Sequence, residues 1–168
     1  MLKKSMKNGN FYLGIGFLMM AVLFYSSSQS YEQQSQIGLL STLLKNQPFK
    51  ESLSEFSFVY AGSEVSIAAR GYFGFVEFFI RKLAHFGTYF ILGGSFFLGL
   101  FPRIKSLWLA AFFGWLAATG YAGMDEFHQM LTNGRTPLFQ DVMLDSAGAL
   151  TAILFCWLIL GIRNKRFF

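Results

Sequence analysis

The sequence predicts an all-α, polytopic membrane protein with about four transmembrane helices and a short amphipathic helix in the first outer loop. Composition is the first observation behind this prediction. Apolar residues make up 54% of the 168 positions, charged residues only 14%, and phenylalanine alone occurs 22 times. A soluble domain carries roughly 25% charged residues. The length suits one domain, so we expect residues 1–168 to form a single transmembrane domain.

The second observation is a set of four long apolar stretches. Backbone groups must be satisfied within each segment in lipid, so about 20 mostly apolar residues are needed for each crossing. The predicted spans are approximately 11–25, 83–101, 107–124 and 142–162. The first follows several lysines as a signal peptide would, but no A-x-A-like cleavage site follows it, so we predict an uncleaved helix. The second begins earlier, within "GYFGFVEFFIRK".

The third observation is the one-sided distribution of charge. If the odd-numbered helices run outward, the inner side carries eight basic residues and no acid: Lys3, Lys4, Lys7, Arg103, Lys105, Arg163, Lys165 and Arg166. All nine carboxylates then fall outside or at outer helix ends. This bias predicts that both termini are cytoplasmic. The net charge of +5 therefore lies at membrane edges, without a basic soluble domain, so no nucleic-acid partner is expected.

The first outer loop, about 26–71, contains a short apolar repeat. Ile37, Leu40, Leu43 and Leu44 recur at helical spacing, which predicts an amphipathic helix on the membrane surface. A linker that packs its apolar side on the other helices is the alternative.

Polar residues recur at helical spacing where three predicted helices reach the outer side. Lys82, His85 and Tyr89 share one face of the second helix. The corresponding residues at the end of the third helix and the start of the fourth are Asp125, Glu126 and Gln129, then Asp141 and Asp145. We expect them to form one shared cluster, since an isolated charge at the membrane boundary costs several kcal/mol.

The connection between the third and fourth helices contains one basic residue, Arg135. Asn133-Gly134 and Pro137 flank it and predict a tight turn that directs Arg135 back towards the acids. The alternative to a functional cluster is a salt-bridge network that only pins the helices together, although buried ion pairs are weak stabilisers.

Two segments, "RKLAHFGTYFILGG" and "MDEFHQMLTNGRTPLFQDVMLDSAGAL", resemble the VanZ-like membrane protein family. The matching positions are Lys82, His85, Tyr89, Asp125, Glu126, Gln129, Arg135, Asp141, Asp145 and Gly148. "FYSSSQS" is similar to the family's Ser-Ser-Gln stretch, although no proline follows it here, and Ser146 and Ala147 replace more polar residues. The resemblance implies a multi-pass protein of the bacterial cytoplasmic membrane. It also implies an association with low-level resistance to the lipoglycopeptide teicoplanin, or with maintenance of the cell envelope.

The residues favour chemistry on the head group of a membrane lipid or lipid-tailed amphiphile. A histidine titrates near the operating pH, so His85 is the candidate general acid or base, oriented by a carboxylate such as Asp125 or Glu126. Lys82 and Arg135 would hold a phosphate or other anion. We expect catalytic roles for His85, Asp125, Glu126 and Asp141, and substrate-binding roles for Lys82, Tyr89, Gln129, Arg135 and Asp145.

Other classes of function stay open. A binding protein that recognises a lipid-tailed molecule would need the same cluster, and a proton or ion transporter is a third class, although four helices make a small pore unless the protein oligomerises. His85, His128 and the acids could bind a metal, but no H-E-x-x-H or comparable spacing occurs, so no metal site is predicted. His128 is expected to be a solvated residue at a helix end. The sequence identifies no cofactor and no oligomeric state.

Overall fold

The structure, a computed structural model, describes the backbone of residues 2–133 and 137–163 and the side chains of residues 9–131 and 137–160. The elements in chain order are α1 (Leu2–Ser27), α2 (Tyr31–Gln34), α3 (Ile37–Leu43), α4 (Lys50–Ser54), β1 (Phe58–Tyr60), β2 (Ser63–Val65), α5 (Ile67–Ile104), α6 (Leu107–Asn133) and α7 (Phe139–Arg163). Four segments are long and apolar enough to cross a membrane: Gly9–Ser27, Ile67–Ile104, Leu107–Leu131 and Phe139–Leu160. The predicted all-α, polytopic fold is confirmed.

Helix α5 lies at the centre of the bundle and contacts α1, α6 and α7. Its buried face carries Tyr89, Leu92 and Phe97, which are fully buried. Small residues on this face allow close helix approach, as at Gly93, which packs directly against Ala149 of α7. Large apolar side chains cover the outer faces of all four long helices, as a lipid environment requires.

The start of α5 lies well before residue 83, as the apolar run predicted, but the helix is broken near its beginning. Ser66 caps the N-terminus by accepting a hydrogen bond from the backbone N–H of Ala69 at 3.1 Å. Gly71 then adopts φ 68° and ψ 167°, a conformation open to glycine and costly for other residues. The continuous helix therefore begins after Gly71.

A small β-hairpin in the first loop was not predicted from the sequence. Strands β1 and β2 pair antiparallel, with Tyr60 opposite Ser63, and the turn residues Ala61 and Gly62 both have positive φ. Positive φ at both central residues is typical of tight two-residue hairpins. Each strand is only three residues long, and Ala-Gly is a weaker turn signal than Asn-Gly, so the sequence pattern gave little indication of it.

The predicted amphipathic helix is α3. Leu40 is buried and α3 contacts α5, whereas Leu43 is exposed. Leu40 therefore packs on the bundle, and the position of α3 on a membrane surface stays a prediction.

Candidate functional site

The ends of α1 and α6 and the start of α7 meet at one end of the bundle, which we call the polar end. The Ser27 hydroxyl donates a hydrogen bond to Oδ1 of Asp125 across α1 and α6. One turn further along α6, Nε2 of Gln129 donates to Oδ2 of the same carboxylate at 3.2 Å. Asp125 is buried, so neutral donors on two helices solvate a carboxylate that has little contact with water.

A salt bridge joins α5 to α7 at this end. Nζ of Lys82 lies 2.5 Å from Oδ1 of Asp141, and the Tyr60 hydroxyl donates to the same oxygen at 2.5 Å. Burial, together with the hydrogen bond to Asp141, raises the pKa of Tyr60 above the ordinary value for tyrosine. The hydroxyl therefore keeps its proton and remains a donor. Asp141 also lies in the first turn of α7, where a carboxylate stabilises the free N–H groups.

A second contact between α5 and α7 involves the predicted general acid or base. Nδ1 of His85 lies 3.5 Å from Oδ2 of Asp145, whose side chain is buried. The carboxylate next to His85 is thus Asp145 of α7, whereas the sequence suggested Asp125 or Glu126 of α6 as examples. The reason is the packing of α7 on α5: Gly148 lets the α7 backbone approach the carbonyl oxygen of Phe86, which brings Asp145, one turn earlier, beside His85.

His85 also lines a cavity of about 420 Å³ between the end of α1, α2 and α5. The wall opposite the histidine is polar, with Ser26, Gln33 and Gln34, and Arg81 lies on the same wall of α5 as His85. The cavity therefore offers a histidine, an arginine and several neutral hydrogen-bonding groups to one occupant.

The remaining predicted residues lie nearby but make different contacts. Glu126 accepts a hydrogen bond from the backbone N–H of Leu138 at 2.7 Å, which fixes the end of α6 to the segment before α7. Tyr89 is fully buried, and its hydroxyl is one of the few buried polar groups of the described residues without a hydrogen-bond partner. Arg135 lies outside the described residues.

A family model described as VanZ/LLP1 matches residues 12–160. The chain belongs to the VanZ/LLP1 family. The match extends over all four candidate membrane-spanning segments apart from the first residues of α1, and over every predicted site residue. The resemblance to VanZ-like proteins is thus confirmed, and the chain is a VanZ-like multi-pass membrane protein of a family linked to resistance. Comparisons with curated proteins and with solved structures gave no match.

One buried acid at the polar end of this VanZ-like chain was not predicted from the sequence. Glu77 of α5 is fully buried and accepts hydrogen bonds from the Tyr31 hydroxyl, at 3.0 Å, and from the backbone N–H of Gln36. Burial, and then the bond to Glu77, raises the pKa of Tyr31. Glu77 thus ties the first loop to α5. A carboxylate inside the apolar run "GYFGFVEFF" was the signal that could have identified it.

The surroundings of His128 and the placement of the possible metal ligands are both visible in the structure. His128 is half-buried and stacks on Phe24 with ring centroids 4.4 Å apart, so it is not the solvated residue that we expected. Among the residues that the structure describes, no three histidine, cysteine or acidic side chains are placed to share a metal ion.

Proposed function

We propose that this VanZ-like protein binds the head group of a lipid-tailed amphiphile at its polar end and acts on it by acid–base chemistry at His85. The proposal places this activity in teicoplanin resistance or in maintenance of the cell envelope. One observation carries it: His85 lines the 420 Å³ cavity and at the same time has Nδ1 3.5 Å from the buried carboxylate of Asp145.

The chemistry follows from the two nitrogens of the imidazole ring. Asp145 faces Nδ1 and fixes the orientation of the ring, so Nε2 is the nitrogen that remains for a proton of the substrate. A histidine held in this way contributes about 10²- to 10⁴-fold to the rate of a proton-transfer step. Arg81, on the same cavity wall, suits an anionic head group because its planar guanidinium binds phosphate or carboxylate through two parallel bonds.

Binding without turnover is the second candidate. It is favoured by the contacts of Asp125 and Glu126, since Ser27, Gln129 and the backbone of Leu138 already occupy these carboxylates. Asp141 is occupied as well, by Lys82 and Tyr60, so all three acids predicted to be catalytic have structural partners. A binding protein would need the cavity and its charges but no proton transfer at His85.

Filling the cavity tests whether it receives the substrate. Ala84 is exposed and lines the cavity beside His85, so Ala84→Trp places a large ring in this space without replacing a polar group. We expect cells that depend on this protein for teicoplanin protection to lose that protection. Ile91→Trp is the matched control, because Ile91 is exposed on the same helix and is not part of the cavity lining.

Both variants are compared with the wild type at equal abundance in membrane fractions. Full protection by Ala84→Trp would remove the cavity from the proposed function, whereas loss in both variants would indicate general damage to α5.

The proposal also includes the orientation of the bundle, with both termini cytoplasmic and the polar end outside. In a Cys156→Ala background, we expect Ser52→Cys on α4 to react with a membrane-impermeant thiol reagent in whole cells. Ser106→Cys, between α5 and α6, should react only after lysis. The reverse pattern would place the polar end in the cytoplasm.

A further inference from the structure

We propose that the β1–β2 hairpin and α5 form a two-part site for a lipid phosphate, whose anionic group lies against Arg70 and Arg81 and whose acyl chain lies in a neighbouring apolar groove further along β1. This inference rests on the proposed function, because it names the chemical class of the amphiphile and where its two parts bind.

The anionic part of the site is a small cavity of about 200 Å³ beside the hairpin. Three cationic side chains of α5 line it, together with two tyrosines and one acid: Arg70, Arg81, Lys82, Tyr31, Tyr60 and Glu77. The volume suits a compact group such as a phosphate. Arg81 also lines the cavity of His85, so the two spaces adjoin.

Among the described residues, the two arginines of this cavity make hydrogen bonds and no ion pair. In the described part of the chain, no carboxylate oxygen lies within 4.0 Å of a nitrogen of Arg70 or Arg81. Arg70 donates instead to the backbone carbonyl of Glu64 at 3.2 Å, and Arg81 to Oε1 of Gln34 at 3.0 Å. Lys82 differs, because Asp141 pairs with it.

The acid in this cavity does not offset the arginines through an ion pair. Glu77 is buried, and its two oxygens accept hydrogen bonds from the Tyr31 hydroxyl and the backbone N–H of Gln36. A carboxylate held by the protein's own donors leaves the arginine forks available. Charges at a membrane boundary are stabilised by a partner of opposite sign, and a phosphate oxygen supplies one through charge-assisted bonds.

Aromatic rings hold the cations in place without neutralising them. Cζ of Arg70 lies 5.2 Å from the ring centroid of Phe78, and Nζ of Lys82 lies 5.4 Å from it. The guanidinium of Arg81 lies 5.0 Å from the ring centroid of Tyr31. Such contacts restrict the cationic side chains before an anion binds. The side chains therefore lose less conformational entropy on binding.

The apolar part of the site is a groove of about 530 Å³ lined by aliphatic and aromatic side chains, among them Leu53, Phe56, Phe58, Phe75, Phe79 and Leu83. Strand β1 borders both parts. Phe58 lines the groove and Tyr60 lines the cationic cavity, and both rings contact Phe78, at 6.1 and 5.4 Å between centroids. Residues two apart on a strand share a face, so one short strand places a cationic and an apolar surface side by side. A phosphate carrying an acyl chain matches both surfaces.

Calorimetric titration of the full-length protein in a neutral detergent tests this assignment with three probes. 1-Oleoyl-lysophosphatidic acid carries both parts of the ligand, oleoyl-lysophosphatidylcholine carries a zwitterionic head group, and glycerol 3-phosphate carries no acyl chain. We expect the lysophosphatidic acid to bind at least tenfold more tightly than either of the other two. Equal affinity for the zwitterionic lipid, or for glycerol 3-phosphate, would overturn the assignment to a lipid phosphate.

Variants divide the site into its two parts. Arg70→Gln and Arg81→Gln should each weaken binding of the lysophosphatidic acid by about tenfold, since each removes a charge-assisted contact. Arg103→Gln, in the last turn of the same helix, is the matched control and should keep the wild-type affinity. Arg70→Lys and Arg81→Lys keep the positive charge, and they replace the glutamine variants in the titration if a glutamine variant fails to fold. Their affinity should fall between wild type and glutamine, and unchanged affinity in all four variants would overturn the proposal.

The groove is tested by Leu83→Gln, with Leu158→Gln of α7 as the control, since both leucines are similarly exposed. Only Leu83→Gln should lower the affinity for the lysophosphatidic acid, and neither variant should change the affinity for glycerol 3-phosphate. Failure here is distinguishable from failure of the proposed function. If Ala84→Trp abolishes teicoplanin protection but lysophosphatidic acid does not bind, only the assignment of the lipid class is wrong.

Discussion

If the protein gives the proposed teicoplanin protection, replacing His85 with glutamine is expected to abolish it while leaving the abundance and the melting temperature of the protein close to wild type. Glutamine fills a similar volume and can still hydrogen-bond to Asp145, but it cannot transfer a proton. Loss of a general acid or base lowers a reaction rate by about 10²- to 10⁴-fold, which is enough to remove a growth phenotype. Growth in teicoplanin and the amount of protein in membranes are the two measurements.

His128→Gln is the matched control, because His128 lies on α6 at the same polar end and stacks on Phe24. The same substitution there should keep protection. Glu126→Gln should also lose protection if its charge is needed, since the amide oxygen can still accept the hydrogen bond from the backbone N–H of Leu138.

The alternative, a salt-bridge network that only pins helices, makes a different prediction. Removing one charge of the Lys82–Asp141 pair would lower stability, and replacing both with apolar residues of similar size would restore much of it. Wild-type protection by His85→Gln at wild-type abundance would remove the catalytic interpretation and favour binding or a structural role.

The second large effect is expected at the contact between α5 and α7. A Cβ atom added at Gly93 would lie 2.6 Å from Cα and 2.7 Å from the carbonyl oxygen of Ala149. These are backbone atoms, so α7 must shift. We expect Gly93→Ala to lower the free energy of unfolding by roughly 1–3 kcal/mol, the usual cost of overpacking. Thermal unfolding in mild detergent measures the change.

Gly87→Ala on the same helix is the control. Apart from the backbone of its own helix, no atom of the described residues would lie within 4 Å of a Cβ at Gly87, so the variant should be neutral or more stable by up to about 1 kcal/mol. Equal stability of the two alanine variants would contradict the close packing of α5 on α7. The same packing positions the candidate site, because Gly148 lets α7 approach Phe86, the neighbour of His85.

Hydropathy and helical spacing predicted the parts of this protein that depend on local pattern. The spans and the α3 helix follow from apolar runs and periodicity, and the spacing of Lys82 and His85 put both on the face of α5 that meets α7. The partner of His85 depended instead on which helix packs closest, and that is decided by Gly148 against the backbone of Phe86. Spacing within one helix contains no such information.

The first loop was harder to predict for a related reason. The short strands around Ala61-Gly62 pair with each other, and they are tied to the bundle by contacts such as Tyr60 with Asp141 of α7, 81 residues further along the chain. Glu77 gains its partners from the same loop, at Tyr31 and Gln36. Contacts between distant residues of this kind leave no periodic signal in a single sequence.

The most direct test of the central claim is a comparison by mass spectrometry of lipid extracts from cells that make the wild-type protein or His85→Gln at equal abundance. If the polar end acts on the head group of a lipid-tailed amphiphile, one class of such molecules should change in amount or head-group composition with the wild-type protein, and should match cells without the protein when His85 is replaced. Extracts that are identical in all three strains, under conditions in which only the wild type confers protection, would contradict the claim.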